Sequence, residues 1–304
     1  MTAPSPLRHG AVVVGEDGGR PLEMRYLEQG DAGAEYTLLF LHGLFDHKGT
    51  WSRLMPLLDS HFRLVAPDLI GYGRSSKPAL ASLPPELRYT VDLQAGYLRR
   101  FVSQLGLDRI VLVGSSLGGG TALRLLCTEW PDGPEVRGLV LVAAAGYPQA
   151  LPGYIQEMAG WLGTLLDNPV GRYLGFRLGL VQAAVRRTSR RVVFDPARMP
   201  PELVEESVAI LRQPGTLRAY RLAARNLVPH DIQTFPERYR QIACPTLVVW
   251  GEEDCIVPPL FALRFEADIP RTKLHVFKEC GHAPQLEYPE EMAVLLRDWA
   301  RHNL

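Results

Sequence analysis

The chain has 304 residues, 46% of them hydrophobic and 22% charged, and Lys+Arg and Asp+Glu both total 33. That length buries a sizeable core as one large domain, or as a domain with an insertion. The balanced charge sets up no global field for nucleic acid or an anionic membrane, and no apolar run approaches membrane-spanning length.

In chain order, Ala11–Val14 and Glu23–Glu28 read as two strands joined by the turn-rich stretch 15–19, an amino-terminal hairpin. Thr37–Leu41 is a continuous apolar run, the pattern of a central strand covered on both faces, and it ends in His42-Gly43-Leu44-Phe45-Asp46. A helix is predicted over Thr50–Leu58, then a strand over Phe62–Ala66 leading into a loop with two glycines, Gly71 and Gly73. Thr90 suits the N-cap of a helix running to Leu105. Ile110–Val113 is a short β-branched strand, Leu117–Cys127 a helix, and Gly138–Ala143 another strand. From Tyr147 to Arg240 strand-like runs become scarce and helical periodicity takes over, at 152–166, 202–211 and 216–227. This stretch carries thirteen arginines, no lysine and eight acidic residues, so it reads as a basic helical insertion, with no long exposed apolar lid evident in it. The strand–helix rhythm returns with Thr246–Trp250, a helix at 259–267, a strand at Lys273–Phe277 and a final helix at Pro289–Arg301. Alternation of this kind implies a mostly parallel sheet flanked by helices. The chain therefore divides into 1–146, an insertion at 147–240 after the sixth strand, and 241–304.

Between Val113 and the helix that follows lies Gly114-Ser115-Ser116-Leu117-Gly118, a G-x-S-x-G stretch at a strand-to-helix turn. Such a turn puts Ser116 at a strained apex above the sheet edge, with the amide of Leu117 facing any oxyanion formed there. A serine nucleophile needs a base, and the base needs an orienting acid. Both follow later strands: Glu252, Glu253 and Asp254 come after 246–250, and His282 comes after 273–277. In an open parallel sheet, ligands gather beyond the carboxyl ends of the strands. Gly43 lets the backbone approach the same place, where the amide of Leu44 supplies a second oxyanion donor and His42 braces the loop. His275 falls inside a strand, and His9, His61, His230 and His302 have no comparable setting. Cys127, Cys244, Cys255 and Cys280 show neither metal spacing nor a disulfide framework, and Met1–Gly10 lacks a signal-peptide pattern, so a cytoplasmic chain with reduced thiols is expected.

The stretches 40–43, 68–75, 114–119, 245–254 and 280–287 together resemble the α/β-hydrolase-fold serine hydrolases over nearly the whole chain. The resemblance implies the α/β-hydrolase fold and makes the insertion a helical cap. Its pattern G-x-x-D-x-x-V-P fits Asp254 alone among the three acids, giving a triad of Ser116, Asp254 and His282 in the chain order of that family. It also makes Tyr147, Tyr154, Trp161, Phe176 and Tyr220 candidates for the substrate pocket. No metal or other cofactor is implied, and the expected partner is a small-molecule ester of short to medium acyl length. Serine at the elbow departs from the haloalkane dehalogenase and epoxide hydrolase relatives, which use aspartate. Carbon–carbon hydrolases of ring-fission diketone acids share the capped fold and triad. Here, however, Leu117 stands where they have methionine and Ala283 where they commonly have tryptophan. A cofactor-free haloperoxidase or perhydrolase, and a non-catalytic ligand-binding protein on the same fold, are the remaining alternatives. Oligomeric state is not legible in the sequence.

Overall fold

A computed structural model describes residues 5–58 and 62–304; His61 and the first residues of the amino-terminal stretch lie outside them. Eight strands form one sheet in the order β1-β2-β4-β3-β5-β6-β7-β8. β1 (Arg8–Asp17) and β2 (Arg20–Gln29) make the antiparallel hairpin, turning at Gly18 and Gly19, both with positive φ. β2 also pairs antiparallel with β4 (Phe62–Pro67). From there the sheet is parallel through β3 (Tyr36–Leu41), β5 (Arg109–Ser115), β6 (Glu135–Val142), β7 (Thr246–Gly251) and β8 (Thr272–Phe277).

The continuous apolar strands are explained by burial on both faces. Alternate residues feed two cores. Leu39, Leu41, Ile110, Leu112 and Val248 point into one, with Leu98 and Phe101 of α1 (Val91–Gln104). Leu38, Phe40, Val111, Val113 and Val249 point into the other, with Trp51 and with Leu296 and Trp299 of α11 (Pro289–Asn303). Thr90 caps α1, its hydroxyl accepting from the amide of Leu93 at 3.2 Å. The helix predicted over 50–58 is instead two short 3₁₀ turns, Lys48–Trp51 and Met55–Leu57. Pro56 has no amide hydrogen to donate, and burying Trp51, Leu54 and Met55 together under the sheet outweighs helical regularity.

Between β6 and β7 the chain is helical, running through α3 (Gly153–Ala159), α4 (Trp161–Asp167), α5 (Pro169–Arg177), α6 (Leu180–Val192), α7 (Pro201–Leu211) and α8 (Thr216–Arg225), α2 (Leu117–Leu126) having preceded β6. The single helix expected over 152–166 breaks at Gly160, whose backbone (φ −101°, ψ −129°) is non-helical. α5 and α6 had no counterpart among the sequence-based expectations. No long exposed apolar lid was expected in this stretch, yet Val170, Tyr173 and Leu174 of α5, Leu178 after it and Leu180 at the start of α6 are all exposed. Strand β7 leads to α9 (Leu260–Asp268), and β8 leads to the short α10 (Pro284–Glu287) ahead of α11.

Candidate active site

Ser116 sits between β5 and α2 with φ 51° and ψ −116°, a backbone region that a non-glycine residue occupies only under constraint. The constraint is visible. Its amide donates to Val142 O at 3.0 Å, and its carbonyl accepts from Gly120 at 3.1 Å and Ala145 at 3.0 Å. Glycine is required at 118, because a Cβ there would stand 2.2 Å from the carbonyl oxygen of Leu41. Leu117 opens α2, so its amide has no partner within the helix and is free for an oxyanion.

The loop after β3 packs directly against this turn: a Cβ on Gly43 would lie 3.3 Å from Ser116 Cβ. Leu44 follows it and lines the same cavity as Ser116 and Leu117. His42 lies behind the loop, fully buried. The amide of Leu69 donates to its Nε2 at 3.0 Å, so Nδ1 carries the proton and donates to Gly43 O at 2.8 Å. This assigns the neutral tautomer and a bracing role. Burial pushes the His42 imidazole below its ordinary range, and the Asp46 and Asp68 carboxylates only partly offset that. A lowered folded value means that the unfolded chain takes up the proton first. Stability contributed by His42 is therefore complete above about pH 6.5 and lost as pH falls toward the folded value. Thermal unfolding followed by circular dichroism should show a lower Tm at pH 5 than at pH 7.5. His42→Gln should be less stable at pH 7.5 and decline less steeply with acid.

Behind His42 a buried ion pair anchors the loop. Lys48 Nζ is 2.5 Å from Asp68 Oδ2, and Asp68 also accepts from the amides of Lys48 and Arg74, both at 2.7 Å. Burial opposes ionisation of Asp68, but the Lys48 ammonium, with the Arg74 amide, holds its carboxyl below the usual range.

Asp254 is buried just beyond β7, whereas Glu252 and Glu253 are exposed, which separates the three candidate acids. Asp254 Oδ1 accepts from the amides of Ile256 at 2.8 Å and Val257 at 3.0 Å, leaving Oδ2 to meet His282 Nδ1 at 2.8 Å. With the carboxylate accepting, Nδ1 is the protonated nitrogen and Nε2 keeps its lone pair. His282 shares the wall of one cavity with Ser116, although among the described residues no hydrogen bond joins the two side chains. The His282 loop is held from behind by Glu287, which sequence reasoning placed in a motif but gave no role. Its carboxylate accepts from the amides of Gly281 at 2.6 Å, Phe194 at 2.9 Å and Asp195 at 3.2 Å, so it ties the loop to the segment that follows α6. The backbone amide of His282 donates to Val192 O at 2.8 Å in the same seam. The signal available was the five-residue spacing from His282 to an acid that then proves buried.

The cavity has a volume of about 630 Å³ and lies between the strand ends and helices α3, α4, α6, α7 and α8. Most of its wall is aliphatic, including Leu151, Ile155, Met158, Leu162, Leu166 and Val181. Of the five aromatic residues expected in it, Tyr154 and Tyr220 line it. Burial raises both phenols, that of Tyr154 to about 12, so both are neutral donors at ordinary pH. The other three do not. Tyr147 is buried away from the cavity, donating to Asp268 at 2.9 Å and stacking on Phe261 at 5.5 Å, because the aromatic face of α9 offers it a better apolar home. Phe176 lies outside the wall under the Arg212 guanidinium, 4.9 Å from its ring centroid. Trp161 is 69% exposed on the outer side of α4, since Gly163, Leu162 and Leu166 occupy the inner one. Among the arginines of the insertion, Arg187 and Arg191 reach the cavity wall, while Arg172, Arg177, Arg186 and Arg190 do not. Among the described residues no group of three or more His, Cys, Asp or Glu side chains is placed to hold a metal ion, and no helix is long and apolar enough to cross a membrane.

Comparison with known proteins bears on the fold and on the family. The chain is 28% identical over 278 residues to the 2-hydroxy-6-oxo-6-(2'-aminophenyl)hexa-2,4-dienoic acid hydrolase of Metapseudomonas resinovorans, covering 90% of this chain and 85% of that protein. It is 29% identical over 276 residues to the 2-hydroxymuconate semialdehyde hydrolase of Pseudomonas sp. strain CF600, covering 88% of each. The solved structure of the 2-hydroxy-6-oxo-6-phenylhexa-2,4-dienoate hydrolase from Rhodococcus sp. strain RHA1 superposes with a TM-score of 0.79 at 23% identity, over 98% of this chain and 99% of that one. Residues 36–289 match the α/β hydrolase fold family as a whole, and with the eight-stranded sheet and the serine turn at its centre, the chain belongs to that family.

Proposed function

We propose that the protein is a serine hydrolase that cleaves carboxylic esters with an aliphatic, short to medium acyl chain. The observation that carries this reading is the aliphatic cavity that opens directly above Ser116, with the His282–Asp254 pair in its wall. Ser116 Oγ attacks the ester carbonyl carbon and its proton passes to His282 Nε2. The amides of Leu44 and Leu117 receive the oxyanion, each such donor being worth roughly 3 kcal/mol in the transition state. Asp254 stabilises the imidazolium, which returns the proton to the departing alcohol. Water activated by the same histidine then hydrolyses the acyl-enzyme and regenerates the serine.

A second reading, carbon–carbon bond hydrolysis of a ring-fission diketone acid, is favoured by the names of the relatives and by Arg187 and Arg191 in the cavity wall, either of which offers a carboxylate a bidentate fork. Against it stand Leu117 and Ala283, both in the wall where the carbon–carbon hydrolase pattern has methionine and commonly tryptophan, and the partly buried Asp46 carboxylate beside the oxyanion loop, which disfavours an anion.

The deciding experiment compares kcat/KM for p-nitrophenyl esters of graded acyl length with that for a 2-hydroxy-6-oxo-dienoic acid. A maximum at about four to eight acyl carbons is expected, a length that a cavity of this size encloses. A hundredfold preference for the acid, abolished by Arg187→Ala or Arg191→Ala, would replace the ester reading with the second one.

A further inference from the structure

The outward faces of α4, α5 and α6 carry an apolar surface that the candidate reaction does not use. On α4, Trp161 and Leu165 are four residues apart and both exposed. On α5, Val170, Tyr173 and Leu174 recur at helical spacing and are exposed. Leu178 and Leu180 bracket the turn at Gly179, and each is more than 60% exposed. A run of this kind exceeds the scattered apolar residues of an ordinary surface and marks a contact with something else. It is also continuous with the mouth of the cavity. Ala183, Ala184 and Arg187 lie one to two turns beyond Leu180 on α6, are exposed, and line the opening.

Charge identifies what the surface meets. Arg172, Arg177, Arg186, Arg187, Arg190 and Arg191 surround it, and among the described residues none of the six pairs with a carboxylate. The one acid between 161 and 191 is Asp167, already held by Arg221 at 2.9 Å. A second copy of this chain docking by a twofold contact would bring arginine against arginine. A layer of phosphate head groups over acyl chains complements both parts of the surface, the arginines at the level of the phosphates and the apolar side chains below them.

We propose that the outer face of α4 to α6 docks on the surface of an anionic phospholipid bilayer, with the cavity mouth turned toward the lipid. The neutral whole-chain charge conceals this, because the insertion's positive surplus is offset by negative charge elsewhere in the chain.

The test is co-sedimentation of the full chain with vesicles of pure phosphatidylcholine and of equimolar phosphatidylglycerol and phosphatidylcholine. Partitioning about tenfold stronger onto the anionic vesicles is expected, weakening as salt rises from about 50 to about 500 mM. Tryptophan emission should shift to the blue on binding, and Trp161→Phe should remove most of that shift, because Trp51, Trp250 and Trp299 are buried and the half-buried Trp130 packs under Arg99 beyond α2, outside the docking face. The double variants Arg186→Glu/Arg190→Glu and Tyr173→Ser/Leu178→Ser lie outside the cavity wall. Each should lose anionic-vesicle binding by about tenfold and retain turnover of a soluble butyrate ester without vesicles. Docking does not require turnover, so Ser116→Ala should bind vesicles as well as the unmodified chain, and failure of the ester reading would leave this result untouched. If a variant fails to fold, the Trp161 emission of the unmodified chain decides. No binding, equal binding to neutral and anionic vesicles, or binding that both double variants retain would overturn the proposal. So would self-association without lipid that Tyr173→Ser/Leu178→Ser disperses, since that outcome assigns the face to a second copy.

Discussion

Ser116→Ala is expected to lower kcat for the preferred ester by about 10⁴-fold or more and to abolish labelling by a fluorophosphonate probe. The hydroxyl is the only group lost, and the strained backbone at φ 51° is held by three main-chain hydrogen bonds that alanine retains. Circular dichroism and Tm should therefore stay close to those of the unmodified chain. Near-normal turnover in a purified, folded variant would mean that Ser116 is not the nucleophile, whatever its geometry.

Asp254→Asn carries the second large effect, a fall in kcat of about 10⁴-fold with KM little changed. The reason is a change of tautomer. An asparagine oxygen can keep accepting from the amides of Ile256 and Val257, which leaves its NH₂ group facing His282 Nδ1. Nδ1 must then accept, so the proton moves to Nε2 and the lone pair needed by Ser116 is gone. Glu253→Gln is the matched control. Glu253 is exposed, and its amide should cost less than about twofold in turnover, within the range of a surface change. A silent Asp254→Asn beside a crippling Glu253→Gln would move the acid by one residue.

Several features were fixed by local chemistry and could be read without coordinates. The strand runs at 37–41, 110–113 and 246–250 are apolar on both faces because both faces are covered, and each became a central strand within a residue or two of its expected limits. The serine turn was legible for a related reason. Glycine at 118 is demanded by a carbonyl that a side chain would strike, and such a demand leaves its mark in the sequence itself. Thr90 announced α1 through a single capping bond.

Other features depend on partners distant in the chain, and no local pattern encodes them. The family pattern singled out Asp254 from Glu252 and Glu253, but its pairing with His282 rests on burial against a loop 28 residues further along the chain. Tyr147 and Trp161 carry the composition of pocket residues, yet one packs against α9 and the other faces outward. The side of a short helix that turns inward is set by what lies beneath it. For the same reason α5 and α6 escaped notice: their rows of leucine, tyrosine and arginine read as weak amphipathic pattern until Gly175 and Val181 are seen facing inward and Tyr173 and Leu180 outward. The sequence by itself determined the sheet, the turn that carries Ser116 and the residue types of the candidate triad, because these rest on backbone geometry within a few residues. The tertiary structure alone decided the cavity wall, the ring partners of His42, the bracing by Glu287 and the exposed face of the helices between β6 and β7. Each of those is a contact between segments dozens to hundreds of residues apart, settled by which surfaces can be buried together.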